Sequence, residues 1–163
     1  MTRTTPYFNI NKQRIVNSVL DITYEEFQLW PNDKQELALA IASELYLLRC
    51  NPFIHPEIIK NKVYSQLENN ASELTSSYHQ FLNKKIDDFL GYINELSDFQ
   101  NQVRTSLSQV LDEDKVVDSP NTLVQFSTDA TGLMMEIPLL VVFPENTEQI
   151  QSIVKLASEL NFT

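Results

Sequence analysis

The chain has 163 residues and carries 12 basic against 22 acidic side chains, a net charge of −10. That excess of negative charge repels nucleic acid and anionic membrane surfaces, and no apolar run approaches the length needed to span a bilayer. A single cysteine, Cys50, excludes an internal disulfide framework and a cysteine-only metal site; with no apolar leader at Met1–Pro6, the expected setting is a reducing, cytoplasmic one.

The first dozen residues read as an extended arm offering Tyr7, Phe8 and Ile10 for docking. A helical pattern starts near Asn11, with Ile15, Val16, Val19 and Leu20 on one face. Thr23-Tyr24-Glu25-Glu26 has the spacing of a capping box, so a short helix should follow, present Phe27 and Trp30, and stop at Pro31. Asp33 to Cys50 is the most apolar helical stretch, with Leu37, Ile41, Leu45 and Leu48 in one stripe, and Asn51-Pro52 breaks it. His55-Pro56 opens the next helix, because proline suits the first turn, and Ile59, Val63 and Leu67 form its buried stripe.

Asn69-Asn70 reads as a turn, and from Leu74 to Val110 apolar residues recur at steps of three or four. That pattern fits one long amphipathic helix or a helical hairpin. Ser97-Asp98-Phe99-Gln100 again has capping-box spacing and favours a break between two helices. Leu37, Ile41, Leu45, Leu48, Phe89, Ile93 and Val103 are expected to be buried together in the resulting bundle. After the charged stretch Asp112–Lys115 and a linker closed by Pro120, two short strands are expected, Leu123–Phe126 and Ile137–Phe143, pairing with each other. The second is apolar enough to be buried on both faces. Pro144 ends it, Asn146 or Thr147 caps a helix, and Ile150, Ile153, Val154, Ala157 and Leu160 give that helix its apolar side. The fold class expected is therefore mainly α: a helical bundle over 1–117, then a small β/βα segment over 118–163. A strand and crossover helix imply a further parallel strand, so the segment reads as the truncated start of a larger α+β domain.

The succession Thr128-Asp129-Ala130, Ile137-Pro138-Leu139-Leu140-Val141-Val142-Phe143-Pro144 and Asn146-Thr147-Glu148-Gln149-Ile150 resembles the entry to the FAD-binding domain of FAD-linked oxidases. The type is that of vanillyl-alcohol oxidase and p-cresol methylhydroxylase, in the branch similar to D-lactate and glycolate dehydrogenases. Arg49-Cys50-Asn51-Pro52-Phe53 and the stretch Val124–Thr131 resemble a helical extension, and its junction with the flavin domain, in large bacterial members fused to an iron–sulfur module. The resemblance implies FAD in a full-length parent, an iron–sulfur cluster in a later module, and the remainder of the FAD domain as the principal partner. It also implies a Gly-rich loop for the FAD pyrophosphate, which this chain lacks, since its glycines are Gly91 and Gly132 alone. Flavin-proximal candidates on this basis are Asp129, Phe143 and Pro144; Asp129 also suits a turn, and Pro144 a plain strand stop.

Other chemistry-bearing residues have plainer explanations. Cys50 lacks a CxxC partner and reads as a packed thiol, His55 as a cap, and His79 as a helix residue without a ligand partner at helical spacing. Lys84 and Asp88 suit a surface pair, and Met134-Met135 soft packing. Two functions stay open: a non-catalytic N-terminal part of an FAD-dependent oxidoreductase acting on a D-2-hydroxy acid, and a helical interaction module. The second would self-associate through the 74–110 helix or the 137–143 edge. Helix-turn-helix DNA binding is disfavoured by the charge.

Overall fold

The computed structural model describes residues 12–127 and 137–162, and the chain divides into two compact units, Met1–Ile93 and Asn94–Thr163. It is mainly helical, as the periodicity predicts. The first unit begins with α1 (12–20), whose last turn, Val16–Leu20, is a π-helix that buries Val16, Val19 and Leu20. Asp21 closes it in the left-handed region, φ 51°. Next, α2 (Tyr24–Gln28) carries the expected capping box: the Glu26 amide donates to Thr23 Oγ1 at 3.2 Å, and the Thr23 amide donates to Glu26 Oε2 at 2.9 Å. Those donors hold the Glu26 carboxyl below its usual range.

The bundle's centre is α3 (Asn32–Cys50), with Ala38, Ile41, Ala42 and Leu45 at 1% exposure or less. It packs on α4 (Pro56–Asn69), which buries Ile59, Val63 and Leu67. A third wall comes from α5 (Ser76–Leu107), through Tyr78, Leu82, Ile86 and Phe89 at steps of four, four and three. Trp30 stands edge-on to both Tyr78 and Phe81, with centroids 5.7 and 5.5 Å away, and the Tyr78 hydroxyl donates to the Lys34 carbonyl at 2.6 Å.

A side-chain latch joins α4 to α5, where the Tyr64 hydroxyl donates to Asp87 and Asn83 Nδ2 donates to the second Asp87 oxygen at 3.0 Å. Burial, then the Asp87 acceptor and its charge, push the Tyr64 phenol from 10.0 up to about 12. A raised folded-state pKa means the folded chain holds this proton more tightly than the unfolded one. The latch's stabilisation is then complete below about pH 10 and is lost as pH climbs through the folded value. Tyr64→Phe is expected to flatten that alkaline limb, measured as urea midpoint against pH; an unchanged slope would show that Tyr64 does not contribute to it.

The second unit gathers Val103, Leu107, Leu111 and Val116 into its own small core, against which Leu139, Leu140, Val142, Ile153, Leu156 and Leu160 pack. Its sheet is β1 (Val116–Val117) antiparallel to β2 (Val141–Val142), in register Val116 with Val142 and Val117 with Val141. Between them lies α6 (Pro120–Gln125), and α7 (Thr147–Leu160) ends the described chain.

Four expectations are corrected. Leu123–Phe126 is not a strand: Pro120 sits in the first turn of α6, where its fixed φ suits helix, and Leu123 is buried from that helix. The Ile137–Phe143 run contributes only two strand residues, pairs with 116–117 and not 123–126, and is not buried on both faces. Val141 is 8% exposed and Phe143 42%. Pro138 cannot donate to a ladder, which shortens the strand. No break occurs at Ser97, since α5 runs unbroken from Ser76 to Leu107; Ser97 and Asp98 are exposed, and no glycine or proline interrupts the helix there. Val103 therefore belongs to the second unit's core and not to the bundle core. A helix of 32 residues is roughly 48 Å long at 1.5 Å per residue, more than one small bundle can cover. The compact units consequently part inside α5, whereas the 117/118 division inferred from the linker concerns origin and falls between β1 and α6.

Candidate functional site

Two of the flavin-proximal candidates lie together in the second unit. Phe143 follows β2, and its amide donates to the Lys115 carbonyl at 3.0 Å, extending the sheet contact by one residue. Its ring meets Phe126, the C-cap of α6, edge-on with centroids 5.9 Å apart, and the two rings are 42% and 53% exposed. Pro144, half-buried, then turns the chain out of the sheet. Asp129, the third candidate, lies outside the described residues, as does Met134-Met135.

The turn after Pro144 is built by polar groups that the next helix requires. Asn146 Oδ1 accepts from the Gln149 amide at 2.9 Å and so caps α7, while the Glu145 amide donates to Gln149 Oε1 at 2.7 Å. Lys115 reaches Glu145 at 2.6 Å, and hydrogen bonding to that carboxylate raises the lysine's pKa. From the other side, Gln100 Nε2 donates to the Leu139 carbonyl at 2.7 Å, and Arg104 pairs with Asp118.

Chemically this is an aromatic, partly apolar surface held on a capped turn. It offers a face for a planar or apolar group and no nucleophile or general base beside the rings. Lys115, Glu145 and Gln100 had no signal in the sequence, because their roles depend on pairings 30 or more residues apart in Lys115–Glu145 and Gln100–Leu139.

The remaining candidates behave as structural residues. The Cys50 thiol donates to the Tyr46 carbonyl at 3.4 Å, and burial pushes its pKa up, opposite to a reactive thiolate. His55 Nδ1 accepts from the Glu57 amide at 3.3 Å and caps α4. His79 Nε2 lies 3.6 Å from Glu68, a partner on another helix that spacing along α5 does not reveal. Lys84 and Asp88 form the expected pair at 2.5 Å. Among the described residues no group of three or more His, Cys, Asp or Glu side chains could hold a metal ion, and no helix is long and apolar enough to cross a membrane.

No protein-family model, curated protein or solved structure matches the chain.

Proposed function

We propose that this chain is the N-terminal part of an FAD-dependent oxidoreductase that oxidises a D-2-hydroxy acid, with the second unit forming the first strand and helix of the flavin domain and no catalysis of its own. The observation that carries this reading is the uncovered apolar side of α7. Ile153, Leu156 and Leu160 pack into the unit's core, yet Ile150 and Val154, one turn apart, are 51% and 62% exposed and continue towards exposed Phe143 and Phe126. An α/β domain covers such a second stripe with its further elements. The strand, Pro144, Asn146 cap and helix also follow one another in the order the resemblance implies.

FAD would supply the hydride acceptor. The described residues do not form its phosphate cradle, because Gly91 lies inside α5 and no glycine-rich turn stands at a helix start. In this reading the cofactor, an iron–sulfur module and the substrate's base and cations belong to the remainder, and Phe126 and Phe143 give a face against which that remainder seats. The test is to tag the N-terminus in the native cell, purify the product, and record its mass, flavin absorbance and D-lactate-dependent dye reduction. A product heavier than 18.8 kDa, coloured by flavin and active with D-lactate, is expected. A colourless product of the chain's own mass would overturn the proposal in favour of the interaction module, for which the same exposed stripe would be the contact surface.

A further inference from the structure

A cleft of about 290 Å³ opens in the first unit, where the end of α1, the end of α3 and the middle of α5 meet. Its apolar floor is Val19 and Phe89, 4% and 5% exposed. On the walls stand two half-buried cations, Arg49 and Lys85, and the Lys85 side chain is only 15% exposed. At the mouth stand two exposed carboxylates, Asp21 and Asp88, with Tyr92 beside them. Charge is therefore graded by depth, positive within and negative at the rim. In a chain of net charge −10, a pair of inward cations over an aromatic floor is not what a merely solvated face produces.

The local backbone adds an independent reason. The wall bearing Val19 is the π-helical turn of α1, a geometry that occurs mostly as short functional bulges. Asp21, on the rim, adopts a left-handed φ of 51° without being glycine, which costs roughly 1–2 kcal/mol. Both departures border the same cleft. What they achieve is to swing Asp21 outward, 91% exposed, while its carboxylate still reaches Lys85 at 3.4 Å, a long and readily exchanged contact. Asp88 is drawn to Lys84 at 2.5 Å, outside the cleft.

We infer that this cleft is a binding site for a small apolar α-amino acid, its carboxylate between Lys85 and Arg49, its ammonium at Asp21 and Asp88, and its side chain on Phe89. A bare carboxylate would meet the rim's repulsion, and a bare amine would meet the inner cations. A ligand carrying both charges satisfies each in the order of depth. The volume sits at the small end of ligand sites, which suits an aliphatic amino acid. The inference rests on the first unit alone and is independent of the flavin proposal.

The test is titration of the full chain with L-leucine, L-valine and L-methionine, followed by amide NMR, with isocaproate and isopentylamine as leucine lacking one charge each. Saturable shifts are expected at Ser18, Val19, Phe89 and Tyr92 for at least one amino acid, with binding weakened about tenfold for each single-charge analogue, the loss of one charged hydrogen-bonding partner. Lys85→Met should weaken the amino acid by about the same factor. Absence of cleft shifts with all three amino acids at millimolar concentration would overturn the inference, as would equal binding of isocaproate or isopentylamine. Because the analogues are measured on the unaltered chain, a variant that failed to fold would not rescue it.

Discussion

Asp98→Pro is expected to destabilise the chain by about 3 kcal/mol or more and to remove a visible share of its far-UV helical signal. Asp98 is an exposed residue in the interior of α5, which is continuous over Ser76–Leu107. Proline there deletes the amide that donates to the carbonyl four residues earlier, and its ring collides with that carbonyl. The substitution also discriminates between the two readings of the sequence. Were Ser97 the cap of a second helix, position 98 would be its first turn, where proline is welcome. Urea unfolding of Asp98→Pro beside Asp98→Ala separates these cases: a proline cost below about 1 kcal/mol relative to alanine would mean that the chain breaks at Ser97.

Leu45→Ala should be similarly severe, at about 2–5 kcal/mol. Leu45 has no exposed surface and lies in α3, between the stripes of α4 and α5. The lost transfer energy and the cavity left behind act together, since a helix held by its neighbours cannot collapse into the gap. Against a typical domain stability of about 5–15 kcal/mol, this approaches the margin for folding. Leu48→Ala, on the same helix but only partly buried, is the internal comparison. If the two midpoints fall equally in urea, the core is not centred where the structure puts it.

Most of the helices were legible because their signals are local. The Thr23 and Asn146 caps, the His55-Pro56 start and the three-four stripe of α3 are each written within a few residues, and each forms as read. What failed depended on distance along the chain. Val141 and Val142 have strong strand character, but their partner is chosen by which apolar segment the end of α5 delivers, and that is Val116–Val117. Leu123–Phe126 has β-branched and aromatic residues too, yet Pro120 in the first turn outweighs that weak propensity. Ser97 shows the reverse error, a capping pattern with no preceding turn to make it a start. Of the flavin-proximal residues, Phe143 and Pro144 were visible as the end of an apolar run, whereas the Phe126 ring against Phe143 joins residues on separate elements. The amino-acid cleft had no sequence signature at all, since it combines ends and middles of three helices.

The separate cores of α5 impose an order of events during synthesis. The first unit's buried set is complete once Phe89 has emerged. Val103, Leu107 and Leu111, by contrast, leave the ribosome before their covering partners Val142, Ile153 and Leu156 exist. Those partners follow after roughly 30–45 residues, several seconds at 5–20 residues per second. For that interval the far third of α5 is a nascent apolar stripe without its lid, and the window in which a chaperone or a neighbouring nascent chain could engage it is set by translation speed between Leu111 and Leu156.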